Sequence, residues 1–196
     1  METAVVAHRS PDLARFGREL DAVRRESAAL TGDLSNAQLA WRPAPGRWSP
    51  GQVVSHLRAT NTRYLEAIDR SIEQARAHGL TGFTPHRPGL VGRFMTRLLE
   101  PPVKRPLRAP AAFRPAEDEA HDWRAEVDGY LATHDALEER LHHAGGISLV
   151  RARVVSPANR LLRVNLGDAF ALLLAHERRH LWQLRHLRAD PGFPAG

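Results

Sequence analysis

The sequence predicts an all-α protein, a four-helix bundle in which two long crossover connections join the helices. Four segments repeat apolar residues at helical spacing, and a capping residue or a helix breaker marks their ends. The two intervening segments, residues 79–116 and 147–164, are too long to be tight turns. We expect residues 1–196 to form a single domain, because a chain of this length buries a sufficient core without disulfides.

The first predicted helix begins after Ser10, whose side chain can cap it, and Pro11 suits the first helical position. Gly32 can close its end. The apolar positions of this helix recur at helical spacing and comprise Leu13, Phe16, Leu20, Val23 and Leu30. A short turn follows, in which Ser35 and Gln38 have the spacing of a small capping box.

The second helix has the strongest start signal in the chain. Ser49 is the predicted N-cap, Pro50 fits the first helical position, and Gln52 completes a capping box. Trp48 and Val53 have the spacing of a hydrophobic staple. We therefore interpret Trp48 as a core residue rather than as a platform for a substrate.

This second helix is expected to run to about Ala77 and to stop at Gly79, which places His56 in its second turn. The first crossover, residues 79–116, is rich in glycine and proline. It contains one predicted short amphipathic helix, marked by Leu90, Phe94 and Leu98 and ended by Pro101 and Pro102.

The third predicted helix carries apolar residues at helical spacing and ends at Gly145 and Gly146; the apolar positions are Trp123, Val127, Tyr130, Leu137 and Leu141. The second crossover, residues 147–164, is irregular, with a strand-like piece near residues 150–155. Asn165 is the predicted cap of the fourth helix, which runs through Leu187. Asp168 lies in its first turn, where a negative charge favours the helix dipole.

Composition limits the kinds of function that the chain can have. It contains no cysteine, so a metal would have to be held by His, Asp or Glu, and a thiol would have to arrive as a cosubstrate. The N-terminus lacks the pattern of a secretory signal, and the longest apolar stretch, residues 169–175, is too short to span a bilayer. We expect a cytoplasmic protein that does not act on membranes.

The net charge of +6 and the pI near 11 raise the question of nucleic-acid binding. Nearly all the basic residues are arginines, with Lys104 as the single lysine, and they are spread along the chain among acidic residues. Nucleic-acid binding normally requires a clustered basic face. We therefore expect a small-molecule substrate and no nucleic-acid partner.

His176 and His180 are four residues apart on the fourth helix, so their imidazoles lie almost on one face. Two imidazoles in this arrangement form a ready bidentate metal site. Gln183 falls on the same face one turn later and could hydrogen-bond a ligand or a metal-bound water, and Arg179 can contact an anion near the metal. The alternative is that both histidines lie on a partly exposed face and bind nothing.

Residues 176–180 also match the H-E-x-x-H pattern of zinc peptidases, and His186 occupies the position of a third ligand in one subclass. That subclass needs a glycine to break the helix, and this chain has Gln183 there. In a continuous helix, His186 points away from His180. We therefore do not favour the peptidase interpretation.

The other histidines are interpreted as structural. His134 falls on the apolar stripe of the third helix and is expected to be a buried, hydrogen-bonded core residue, although it could reach the metal. The remaining histidines are predicted to lie at the surface: His8, His78, His86, His121, His142 and His143.

Two motifs resemble those of the DinB/YfiT-like family of bacterial helical-bundle proteins. The first spans WRP (residues 41–43), PGRWSPGQV (45–53) and HL (56–57), and the second spans NLGD (165–168) and HERRHLWQ (176–183). The order and length of the intervening helices also fit, so the resemblance covers nearly the whole chain. It implies a four-helix bundle that is often a homodimer.

The resemblance also implies a metal site. The family holds its metal with one histidine in the second helix and two in the last, which correspond to His56, His176 and His180. Nickel and zinc are the family's common metals, and iron, cobalt or manganese would also accept such ligands. Some members transfer thiol cofactors such as bacillithiol or mycothiol, and others are described as metal-dependent hydrolases.

Three functions follow as hypotheses. The first is metal-dependent transfer of a low-molecular-weight thiol to an electrophilic, xenobiotic small molecule, since three neutral imidazoles leave coordination positions open. The second is hydrolysis by a metal-activated water. The third is a stress-associated bundle in which a structural metal braces two helices, with a fourth ligand such as His134 closing its coordination.

Overall fold

A computed structural model describes residues 10–103, 109–115 and 121–195 of the chain. The order of elements is α1 (Pro11–Thr31), α2 (Asn36–Ala40), α3 (Pro50–Ala77), α4 (Leu90–Leu99), a 3₁₀ turn (Ala111–Phe113), α5 (Trp123–His143), β1 (Arg153–Val155), β2 (Arg163–Asn165) and α6 (Leu166–Arg188). The four long helices, α1, α3, α5 and α6, form the bundle. The all-α prediction is confirmed.

The predicted caps are present. The Leu13 amide donates to the Ser10 hydroxyl at the start of α1. At α3, the Gln52 amide donates to Ser49 Oγ at 3.1 Å, and the Ser49 amide donates back to Gln52 Oε1 at 3.1 Å. This reciprocal box fixes the first turn of α3, and therefore the position of His56 in the next turn. The second predicted capping box forms the start of α2.

Apolar side chains from all four long helices fill the space between them. Phe16 of α1, Ile68 of α3, Leu137 of α5 and Leu173 of α6 are each at most 1% exposed. The helical spacing of the apolar residues thus corresponds to the buried faces. No helix in the described parts of the chain combines the length and the apolar character needed to cross a membrane.

The first crossover is bound tightly to the bundle by α4. This helix packs on α6 with Gly92 against Asp168, and after its end Glu100 forms an ion pair with Arg178. Its other face is exposed: Leu90 is 77% and Phe94 65% accessible. The short amphipathic helix that the sequence predicts here is therefore present.

His86 was predicted at the surface, and that prediction is wrong. Its side chain is 2% exposed, and its Nε2 lies 3.0 Å from Oδ1 of Asp168. The other oxygen of Asp168 accepts from the Gly89 amide at 3.0 Å. The Asp168 carboxylate at the start of α6 therefore holds the crossover, a tertiary contact that local sequence does not encode.

The remaining predicted surface histidines differ in exposure. His78, His142 and His143 are exposed, and His121 is partly buried beside Glu126. His8 lies outside the described residues.

The second crossover contains the predicted strand. β1 pairs antiparallel with β2, with Val154 opposite Val164. The Asn165 side chain then accepts from the Asp168 amide at 2.7 Å and caps α6, as the sequence predicts. β2 ends at Asn165, directly before α6, the helix that carries two of the candidate ligands.

Candidate metal centre

Three histidines from two helices meet inside the bundle. His56 lies on α3, and His176 and His180 lie one turn apart on α6. One ring nitrogen from each lies within 4.8 Å of the other two, and His56 Nε2 is 3.0 Å from His176 Nε2. Because four residues make about one helical turn, both α6 rings face α3.

The donor set fits a divalent transition metal. Two imidazole nitrogens bound tetrahedrally to one zinc ion, each at about 2.1 Å, are about 3.4 Å apart. The distance between His56 Nε2 and His176 Nε2, 3.0 Å, is about 0.4 Å shorter than that value. Among the described residues, no further histidine or carboxylate joins this group. The triad could therefore hold a metal ion and leave positions on it for another ligand.

Two of the rings are oriented by hydrogen bonds from their other nitrogen. His56 Nδ1 lies 2.6 Å from the carbonyl oxygen of Phe113, which can only accept, so this nitrogen carries the proton. The unprotonated His56 Nε2 then faces His176 Nε2, 3.0 Å away, and is the atom that this ring would offer to a metal. His180 Nδ1 donates to Oε1 of Gln183 at 3.0 Å. Such outer contacts fix the ring orientation of metal-binding histidines.

Burial keeps the imidazoles neutral. It lowers the pKa of His56 and His180, that of His180 to about 3, and brings the pKa of His176 well below its ordinary value. The proximity of the three rings to one another adds to the shifts of His176 and His180. Neutral imidazole is the form that binds a metal, so the site is ready for one at neutral pH.

An indole and a guanidinium border the triad. The ring centre of Trp48 is 5.0 Å from that of His56 and 6.2 Å from that of His180. Arg179 is largely buried, donates to the carbonyl oxygen of Leu98 at 3.3 Å, and its charge lowers the pKa of both α6 histidines. Gln183 and Arg179 thus lie beside the triad, and their predicted contacts with a ligand stay predictions. Trp48 contributes to the wall of the site as well as to the bundle.

Glu177, between the two α6 histidines, points into the core rather than into the metal site. The carboxylate is fully buried, and Asn61 Nδ2 donates to its Oε1 at 2.6 Å. The Tyr130 hydroxyl donates to its other oxygen. A peptidase needs this glutamate free to act as a base, and His186, the other residue of that motif, is exposed. The arrangement agrees with the rejection of the peptidase interpretation.

His134 is buried, as expected, but it is not hydrogen-bonded. Neither ring nitrogen has a hydrogen-bond partner among the described residues, and its Nε2 lies 3.7 Å from Glu177 Oε2. It lies beside Glu177 and is not a member of the metal-binding group. In this structure, His134 therefore does not supply a fourth ligand to the triad.

Two features of the site were missed from the sequence. Glu177 falls four residues after Leu173 and four before Leu181, on the apolar stripe of α6, so its burial had a detectable signal. No sequence signal indicated that the Phe113 carbonyl orients His56, because Phe113 belongs to a crossover that is remote from His56 in the sequence.

One of three comparisons with known proteins gives a match. The sequence model of the DinB superfamily matches residues 19–184. Neither the curated proteins nor the solved structures give a significant match. The matched region includes the three histidines and the four long helices that surround them, apart from the ends of α1 and α6.

Proposed function

This chain belongs to the DinB superfamily, and we propose that it is a metal-dependent transferase that joins a low-molecular-weight thiol to an electrophilic small molecule. The triad of neutral imidazoles carries the proposal, because three protein ligands leave coordination positions for a substrate. A divalent metal held by His56, His176 and His180 would lower the pKa of an incoming thiol, so that its thiolate form is available at neutral pH. Nickel and zinc are the metals that we expect.

The residues around the triad have separate roles in this proposal. Gln183 and the Phe113 carbonyl orient the rings of His180 and His56 through Nδ1, which would leave Nε2 of each ring to bind a metal. Arg179 supplies a positive charge beside the site, which favours an anionic thiolate. Trp48 excludes water from one side.

In the reaction, the thiolate sulfur attacks an electrophilic carbon of the second substrate and a carbon–sulfur bond forms. In a substitution the leaving group departs with the bonding electrons. In an addition to a double bond, the proton released by the thiol ends on the neighbouring carbon. The chain contains no cysteine, so the sulfur comes from the cosubstrate.

Hydrolysis is the less favoured alternative. Water has a much higher pKa than a thiol and benefits more from a nearby general base. Glu177, the carboxylate next to His176, already accepts hydrogen bonds from Asn61 and Tyr130 inside the core. It is therefore not placed to take a proton from a water at the triad.

The test begins with elemental analysis of untagged protein purified without chelators, beside a His180→Ala variant. We expect near one equivalent of a transition metal in the wild type and little in the variant. Both proteins are then incubated with a panel of electrophiles, with and without thiols that include bacillithiol and mycothiol, and the products are identified by mass spectrometry.

Metal-dependent conjugates that form with the wild type and not with His180→Ala would support the proposal. Turnover without any thiol would instead indicate a hydrolase. Metal binding without any turnover would favour the third hypothesis, a structural metal. The homodimer that the family resemblance implies stays a prediction, and light scattering coupled to size-exclusion chromatography tests it.

A further inference from the structure

The outward face of α4 carries an apolar stripe. Four of the seven large apolar side chains that are exposed in the described parts of the chain belong to this helix, namely Leu90, Val91, Phe94 and Leu98. At about 100° per residue, they fall within one sector of about 100° around the helix axis. Gly92, which packs on α6, lies on the far side of the helix. Exposed apolar side chains that are grouped in this way, rather than scattered singly, mark an interaction surface.

Two arginines border this stripe along one edge. Arg93 and Arg97 lie one turn apart, both are exposed, and neither forms an ion pair with a described residue. Arginines elsewhere in the bundle are paired, as Arg140 is with Asp69. Residues 74–99 contain four arginines and no Asp or Glu, although the whole chain has 22 acidic residues. The segment therefore presents positive charge beside the stripe and has no acidic residue of its own to neutralise it.

The stripe and the arginines together indicate the kind of partner. An apolar face bordered by basic residues is typical of a helix that lies in the surface of an anionic lipid bilayer. The acyl chains accept the apolar side chains, and the guanidinium groups reach the lipid phosphates. A nucleic acid would pair with the arginines but would leave the apolar stripe in water.

A second copy of the chain fits this face less well. In a symmetric pair the patch meets itself, so Arg93 and Arg97 would face the same two residues of the other copy, and α4 has no acidic residue to separate them. The ten residues of α4 span about 15 Å, so the stripe is far smaller than the roughly 800 Å² per partner of a stable protein interface. A lipid surface imposes neither restriction, because weak and reversible binding is sufficient there.

We propose that the outward face of α4 binds the protein to anionic lipid surfaces, with the apolar stripe at the acyl-chain boundary and Arg93 and Arg97 at the level of the phosphates. The bundle holds α4 in place through the packing of Gly92 against Asp168. The helix is therefore formed before it meets the lipid, whereas a free peptide of this length would have to become ordered on binding. The proposal departs from the sequence-based expectation of no action on membranes, and it does not depend on the proposed metal chemistry.

The test is co-sedimentation of the whole protein with two kinds of vesicle, phosphatidylcholine alone and phosphatidylcholine with about 30% phosphatidylglycerol. We expect a partition coefficient at least about tenfold higher for the anionic vesicles, because each arginine near such a surface strengthens binding roughly fivefold. Raising the salt from about 0.1 M to about 0.5 M should weaken this binding, because the charges are then screened.

Two variants of α4 separate the charge from the apolar contact. Arg93→Gln/Arg97→Gln should bind the anionic vesicles about 30-fold more weakly. Leu90→Gln/Phe94→Gln keeps both charges and removes the two most exposed side chains of the stripe, and we expect a loss of at least about tenfold. All four positions are exposed, so each variant should keep the wild-type thermal midpoint within about 2 °C.

Matched controls make the same changes elsewhere on the surface. Arg18→Gln/Arg25→Gln lowers the net charge equally, at exposed positions of α1. Leu161→Gln removes an apolar side chain that is more exposed than any on α4. Both controls should bind the anionic vesicles within about twofold of the wild type, because charges that lie beyond a Debye length of the lipid contribute little.

Equal binding to both kinds of vesicle, or binding to neither, would overturn the proposal. Wild-type binding by both α4 variants would also overturn it, since the lipid contact would then lie elsewhere on the protein. Light scattering in the absence of lipid checks the alternative occupant. A wild-type dimer that becomes a monomer in Leu90→Gln/Phe94→Gln would assign the stripe to a second copy of the chain and overturn the proposal.

Discussion

The three imidazoles of the triad are held in their neutral form by burial rather than by partners. His56 is 4% and His180 7% exposed, and desolvation is the main cause of the lowered pKa of each. A positive charge on one ring also lowers the pKa of its neighbours, so the three rings together are harder to protonate than a single buried histidine. A metal that enters the site therefore competes with few protons at neutral pH.

The same shifts predict a pH dependence for the metal-free protein. The pKa of His180 is about 3 in the folded state and near 6.5 in the unfolded chain, so the unfolded chain binds a proton first as the pH falls. Stability is then fully present above about pH 6.5 and is lost as the pH falls toward 3. This one group contributes a loss of about 1.4 kcal/mol per pH unit inside that window.

Urea unfolding of the metal-free protein between pH 7.5 and pH 4.5 tests this expectation. As the pH is lowered, the free energy of unfolding should decrease less steeply in His180→Gln than in the wild type. His143→Gln, which changes an exposed histidine, should keep the wild-type slope. Parallel slopes for all three proteins would show that His180 protonates in the folded state as readily as in the unfolded chain.

At the scale of the elements, α4 determines how the first crossover meets the bundle. Gly92 allows the close approach, since a Cβ atom placed there would lie 2.2 Å from Cγ of Asp168. Asp168 cannot move aside easily, because it holds His86 and the Gly89 amide and is capped by Asn165. The carbonyl of Leu98, at the end of α4, then meets Arg179 beside the triad.

We therefore expect Gly92→Ala to destabilise the protein although alanine is the better helix former. Alanine gains about 1 kcal/mol in helix propensity, but the collision with a fixed, buried carboxylate costs more, and we expect a net loss of about 1–3 kcal/mol. The measurement is the free energy of unfolding in urea.

Gly129→Ala on α5 is the matched control. Its Cβ would meet the guanidinium of Arg58 at 2.5 Å, but that side chain is 44% exposed and can move into solvent. This variant should be as stable as the wild type or more stable. A Gly92→Ala protein that gains stability as Gly129→Ala does would contradict the close packing of α4 on α6.

At the scale of the whole molecule, a metal in the triad would join helices that are far apart in sequence. His56 belongs to α3, and His176 and His180 belong to α6, 120 and 124 residues further along the chain. The ligand cluster exists only when the bundle is assembled. Metal binding would therefore be coupled to the folding equilibrium of the bundle.

This coupling predicts thermal stabilisation. At a free metal concentration about 100-fold above the dissociation constant, the folded state gains about 2.7 kcal/mol. For a protein of this size, that gain raises the thermal midpoint by roughly 5–10 °C. Scanning calorimetry with and without Zn²⁺ measures it. An equal rise in His180→Ala would show that the ion binds elsewhere on the protein.

The local sequence was sufficient to predict the helices and the ligand pair on one of them. Capping residues at Ser10, Ser49 and Asn165 satisfy the free amides of a helix start, and they act within three residues of themselves. The spacing of His176 and His180 is likewise a property of a single helix. Such features need no knowledge of the rest of the chain.

By itself, therefore, the sequence determined the class of fold, the ends of the long helices and two candidate ligands that share one face. Only the tertiary structure decided that His56 meets them, that the Phe113 carbonyl orients His56, and that His86 is buried against Asp168. It also decided that Glu177 faces Tyr130 rather than the metal site. The physical reason is that these contacts join residues between 47 and 120 positions apart, and their geometry depends on how the helices pack.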